Sequence, residues 1–450
     1  MNLTCNANRR VIHRSSRHCL RSVKGARLNL LNGGPFSADQ ILGVPIVLAT
    51  QSGSPSRHRH RMKATETPVV GHSPTRLLQH FTPPMTSLFR PLLVAVVATL
   101  LASGQISQAA DETAPSYESI LKIDSHSHMF EDLPAFHALL QRINVRTINV
   151  CNNGTDGHLE AMHAIAVDLY RKHPQTLPFE STFDLLRRNE PTYVQEVIAF
   201  LDRTFEQGAV GVKIWKEIGI DIKDRTGKFI LPDDPLFDPI YAHIAKRGKV
   251  LHAHLAEPID AWLPLDPDSS HYSYYSSNPE WHLHGKPQYP SHAAIIAARD
   301  RIMEKHPTLV VLGAHLGSLE HDLAGIAARL EKYPNFHIEV SARTRNLTRH
   351  PTEKVRALFL KYPDRILYGV DRGWKPFLRG PVTDAQRMGH VNGLELIYRA
   401  DYDYYAGKGE ITYNNRKTQA LNLPRSVLEK FYHQNAERIF KLETAWAGRK

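Results

Sequence analysis

From residue 121 onward, short apolar runs alternate with longer stretches whose apolar positions recur at helical spacing. Eight runs read as strands: 121–126, 147–152, 177–182, 209–215, 249–255, 309–315, 336–342 and 365–371. Most are rich in Val, Ile and Leu, the composition of strands buried on both faces. Helical patterns lie between most of them, for example over 156–174, 191–208 and 290–307. Two of these end at His-Pro, where proline stops a helix. Eight strands with intervening helices predict an α/β fold, a (β/α)8 TIM barrel. A doubly wound open sheet is the alternative, but no glycine-rich phosphate fingerprint follows the first run.

The connection after the fifth run is long. Residues 256–290 hold Trp262, His271, Tyr272, Tyr274, Tyr275, Trp281, His282 and His284. So many aromatic side chains argue against disorder and for a roof over the barrel mouth. Tyr274 and Trp281, with Trp215 at the end of the fourth run, would offer flat faces to a sugar, aromatic or cyclic substrate. The other outcome is a loop packed on itself or on a neighbouring subunit, which would make a homodimer the assembly.

Ahead of the repeats the pattern changes. Residues 1–84 are rich in Arg, Ser, His and Pro, show no sustained period, and read as a disordered basic leader or an over-extended gene start. After Met85, Arg90 supplies a positive flank to the apolar run PLLVAVVATLLA (91–102), and Ser107 and Ala109 fit a small-x-small cleavage site. The run falls short of the roughly 20 apolar residues of a stable membrane span. The reading is a signal peptide over 85–110, starting at Met85, followed by a barrel over 111–450 in the periplasm or outside the cell. The alternative is a genuine basic extension ahead of a buried or membrane-anchoring segment.

A formal charge of +11 would point to nucleic acid if it were spread evenly. It is not: residues 1–84 carry 12 Lys+Arg against 2 Asp+Glu, while residues 111–450 carry 43 against 43. A balanced body lacks the basic footprint of a nucleic-acid binder, so a small-molecule substrate is expected. Of three cysteines, Cys5 and Cys19 lie in the leader, and Cys151 alone excludes a disulfide framework or a cysteine-rich zinc module in the body.

Histidine is the more telling residue. His126 and His128 end the first run, His254 the fifth, His315 the sixth, and Asp371 the eighth. Positions two apart in an extended chain face the same way, so His126 and His128 can reach one ion. Four His-x-His pairs occur among 26 histidines, so the spacing alone is weak. The shared position at strand ends, where barrel enzymes keep their sites, is what strengthens it. Histidines and a carboxylate around an open position suit Zn2+ or a similar divalent ion.

These residues resemble the amidohydrolase superfamily, specifically its amidohydrolase-related branch. That branch holds aminocarboxymuconate-semialdehyde decarboxylase, resorcylate-type decarboxylases, and lactone and other hydrolases. The likeness rests on IDSHSH (123–128), VLHAHLAEP (250–258), VVLGAHLG (310–317), ILYGVD (366–371) and NAERIF (435–440), in the family's order. It implies that His126, His128, His254 and Asp371 are metal ligands and that His315 is the catalytic histidine. His252 competes with His254, which is preferred because it precedes the Leu-Ala-Glu-Pro turn. Lys213 has two readings: a substrate-anion partner beside one ion, or a carboxylated lysine that bridges to a second ion with His254 and His315. Trp215 and Glu217 are candidate pocket residues, and Arg343 and Arg372 candidate partners for a substrate carboxylate.

The resemblance implies hydrolysis of an amide, ester or lactone, with Asp371 as the proton acceptor for a metal-activated water and His315 orienting the water or facing the oxyanion. The same cage also serves non-oxidative decarboxylation of a small unsaturated or aromatic acid. A barrel that keeps its metal for structure and binds without turnover is the third reading. The export signal leans toward the hydrolase.

Overall fold

A computed structural model describes residues 114–152 and 154–442. The basic leader and the signal peptide lie outside the described residues.

All eight expected strands form: β1 (Lys122–Met129), β2 (Val145–Val150), β3 (Phe179–Ser181), β4 (Gly211–Ile214), β5 (Val250–Ala253), β6 (Val310–Gly313), β7 (Phe336–Glu339) and β8 (Ile366–Leu367). Each pairs in parallel with its successor. The eighth strand differs from its prediction. It stops after two residues, bends at Asp371, and resumes as β9 (Arg372–Trp374), which pairs in parallel with β1. Its first half therefore binds β7 and its second half β1. The sheet closes on itself across this break, with Asp371 N–H donating to His126 O at 2.7 Å. The result is a TIM-barrel-like α/β fold.

β1 is also longer than predicted. It runs through both His126 and His128, and all eight of its residues are buried. The helices α1 (Pro134–Arg142), α2 (Leu159–Lys172), α3 (Tyr193–Glu206), α4 (Asp238–Lys246), α5 (His292–Lys305), α6 (Leu323–Lys332) and α7 (Thr352–Lys361) follow β1 to β7 in turn. Their apolar stripes face the strands, as Phe136, Leu139 and Leu140 do in α1. A further long helix, α8 (Asp384–Ala406), starts with a capping box in which Thr383 and Gln386 satisfy each other's backbone N–H. An unexpected hairpin, β10 (Glu410–Tyr413) with β11 (Arg416–Gln419), turns at Asn414 and Asn415, both at positive φ.

The barrel interior is divided by polarity. Its lower half is apolar: Ile123, Ile148, Val210, Val250, Leu312 and Leu367 pack against Ile439 and Phe440 of the last helix among the described residues and against Leu442 beyond it. The NAERIF segment thus plugs the bottom. Charged and imidazole side chains gather at the other end, above this plug. Among the described residues no helix is long and apolar enough to cross a membrane.

Candidate metal centre

The strand ends bring His126, His128, His315 and Asp371 together. Asp371 Oδ1 lies 3.2 Å from His128 Nε2 and 3.6 Å from His126 Nε2, and Asp371 Oδ2 lies 3.7 Å from His315 Nε2. His254 stands beside them, its ring centre 4.3 Å from that of His315 in edge-on contact. Two of these residues sit in left-handed backbone, His315 at φ 57° and Asp371 at φ 55°. Such conformations cost non-glycine residues about 1–3 kcal/mol and recur at functional sites. Here they turn both side chains over the barrel mouth.

Each ring is held from behind. His126 Nδ1 meets Glu339 Oε1 at 2.9 Å, His128 Nδ1 meets Val150 O at 2.7 Å, and His315 Nδ1 meets Ser341 O at 2.9 Å. These partners are all acceptors, which assigns each neutral ring's one proton to Nδ1. The Nε2 lone pairs then face the Asp371 carboxylate. Burial keeps the rings neutral. With Lys375 nearby it pushes His128 down to about 4, and with Arg343 nearby it pushes His315 down to about 4. Lys213 Nζ meets the His126 lone pair, while those of His128 and His315 converge on the carboxylate, an arrangement that is repulsive unless a cation stands among them. The buried Nε2 of His254 has no hydrogen-bond partner. The donor set therefore fits a divalent ion.

Lys213 and His252 occupy a layer of their own. Lys213 Nζ lies 3.0 Å from His126 Nε2 and 3.3 Å from His252 Nε2, and His252 Nδ1 meets Glu180 Oε1 at 3.1 Å. Lys213 is fully buried. As placed, it holds two imidazoles. His252 is occupied by these contacts, whereas His254 keeps a free nitrogen.

Three of the expected substrate contacts, Trp215, Tyr274 and Trp281, approach the site together. Lys216 pairs with buried Glu257, donates to Tyr274 Oη at 3.1 Å, and lies 3.8 Å over the Trp281 ring. Trp215 packs edge-on against both Trp281 and His254. The 256–290 segment is thereby a packed lid joined to the site through Trp215. Glu217 is buried with Oε1 accepting from Gly154 N–H at 2.7 Å, and burial raises its carboxyl to about 8. Arg343 is buried, its Nε 3.7 Å from Glu320 Oε2. Arg372 points elsewhere: its guanidinium runs toward Gly393 of α8.

The sequence reading missed Glu339, Ser341, Glu180, Lys216 and Lys375. Glu339 Oε1 accepts from His126, from the His315 N–H at 2.9 Å and from Ser341 Oγ at 2.8 Å. The available signal was a lone glutamate inside the apolar run FHIEVSA, and another inside LPFEST. A carboxylate in a doubly buried strand needs partners inside the protein.

A sequence profile described as Amidohydrolase matches residues 189–442. The chain belongs to the amidohydrolase family. The matched span contains Lys213, His254, His315, Glu339 and Asp371, while His126 and His128 precede it. No curated protein matches this family member. Its chain is similar to the solved structure of 2,6-dihydroxybenzoate decarboxylase from Rhizobium, at 16% identity over 72% of this chain and 99% of that one, with a TM-score of 0.44. It is similar to a dihydroxybenzoic acid decarboxylase from a Polaromonas species with bound manganese, at 16% identity over 72% and 98%, TM-score 0.43. A third is 4-oxalomesaconate hydratase from Rhodopseudomonas palustris, at 11% identity over 73% and 98%, TM-score 0.42.

Proposed function

We propose that this family member is a divalent-metal-dependent hydrolase of an amide, ester or lactone, with His126, His128, His254 and Asp371 as ligands. The observation that carries the proposal is that His126 and His128, each anchored at Nδ1, turn Nε2 on the Asp371 carboxylate, with the unpartnered Nε2 of His254 nearby. A bound ion, Zn2+ by its nitrogen-rich ligand set, supplies Lewis-acid polarisation of the substrate carbonyl and a lowered pKa for water. Asp371 is the most open of the grouped side chains, 28% exposed against 7% or less for the three histidines, so it meets an incoming substrate. As a carboxylate it takes the proton of the attacking water and returns it to the leaving group. His315, with its own proton on Ser341 O, presents an acceptor at Nε2. That suits holding a water's proton in line and does not suit donation to an oxyanion.

Arg343, whose charge acts on His315, and Lys375, whose charge acts on His128, bring two cations to the site. They favour a substrate bearing a carboxylate, and they support decarboxylation of a small acid as the second reading. A panel of lactone, ester, amide and aryl-acid substrates, run before and after chelation, separates the readings. Release of CO2 from an aryl acid would replace the first reading with the second. Turnover that survives complete metal removal would overturn both. Export through 85–110 is part of the proposal, and amino-terminal sequencing of the mature protein should find a start near residue 111.

A further inference from the structure

We propose that Asp132, His137 and His173 form a second divalent-metal site, of the zinc class, on the outside of the barrel between α1 and α2. Asp132 lies in the turn before α1, His137 on α1, and His173 at the C-terminal end of α2. Their ligand atoms converge on one point: His137 Nε2 and His173 Nε2 lie 2.8 Å and 3.0 Å from the same oxygen, Asp132 Oδ1. The rings stack with centres 3.8 Å apart and planes inclined by 27°. Two cationic rings in that contact would repel. Burial lowers the pKa of His137, with His173 adding to the effect against Asp132. Burial opposes charge on Asp132, but hydrogen bonds from both rings hold its carboxyl below the ordinary value.

A neutral imidazole can carry its proton on either nitrogen, which frees both Nε2 lone pairs for an ion. Two ligands bound cis at about 2.1 Å lie roughly 3.0–3.4 Å apart. Both nitrogen–oxygen separations need shifts of only a few tenths of an ångström, and all three ligand atoms lie within 4.8 Å of one another. Lys172 sits 3.4 Å from the other oxygen, Asp132 Oδ2, and 2.9 Å from Asp168, so it faces the far side of the carboxylate. The three side chains are 21–37% exposed, which leaves coordination positions for water and a path from solvent. Nitrogen and carboxylate ligands with open positions select zinc, nickel or copper over magnesium or calcium. An ion here would tie the end of α2 to the turn that leaves β1, the strand carrying His126 and His128.

The test is equilibrium dialysis of metal-stripped full-length protein against micromolar Zn2+, followed by elemental analysis. Wild type should hold two equivalents, and His137→Ala and His173→Ala should each hold one. Zn2+ should raise the thermal midpoint of His126→Ala, which keeps the outer site, and raise it less when His137→Ala is added. Equal Zn2+ content in His137→Ala and wild type overturns the proposal. Equal content in His126→Ala and wild type would instead remove the catalytic-metal reading and leave this one standing.

Discussion

At the scale of the residue, the site depends on groups that face away from substrate. Glu339 is buried, opposed by desolvation, yet held well below the carboxylate range by hydrogen bonds from His126 and His252. Its charge fixes the His126 tautomer and the His315 backbone together. Glu339→Gln keeps the shape and removes the charge, so divalent-metal affinity should fall about 10–100-fold, measured by competition with a chelating dye. Unchanged affinity would show that Glu339 only fills space. Asp371→Asn removes the proton acceptor at the mouth. The substitution should lower kcat/KM about a thousandfold, within the range for loss of general acid–base catalysis, with little change in thermal midpoint. Full activity in this variant would sink the proposed mechanism.

At the scale of the element, the lid and the eighth strand decide access and closure. The Lys216 ammonium sits between Glu257 and the half-buried rings of Trp281 and Tyr274, and is buried together with Glu257. Lys216→Met would leave Glu257 buried without its cation, a change that costs about 3–5 kcal/mol in comparable buried pairs. The expected outcome is a lower thermal midpoint and faster proteolytic nicking within 256–290. A cleavage rate equal to wild type would mean that the lid is held by other contacts. The lid's packing was legible in its aromatic content. The break in the eighth strand was not, because RILYGVD reads as one continuous apolar run. Only pairing with two different neighbours, β7 and β1, makes a bend at Asp371 necessary.

At the scale of the whole molecule, buried titratable groups set the acid stability. Burial is the leading cause that depresses His128, His163, His292, His315 and His390 to about 4 and His337 to about 3. The native rings stay neutral while the unfolded chain takes up protons below about 6.5. This contribution is therefore complete above that pH and is lost as the pH falls toward 4. Buried Asp124, Asp401 and Glu217, raised to about 7, about 6 and about 8, act in the opposite direction, because their native forms hold protons that the unfolded forms release. The histidines outnumber them. The urea midpoint of metal-stripped protein should fall between pH 6.5 and 4.5, and a midpoint that rises over that interval would contradict this balance.

The sequence by itself determined the eight strands, helices between most of them, their order, and the placement of His126, His128, His254, His315 and Asp371 at strand ends. Those properties follow from local periodicity, which a linear chain displays. Tertiary structure alone decided which nitrogen of each ring is free, why His252 is engaged while His254 is not, and that Glu339 and Glu180 underlie the site. It also brought Asp132, His137 and His173 to one point. Hydrogen-bond partners hundreds of residues apart leave no spacing in the chain, and a buried polar group chooses its partner by proximity in the folded core.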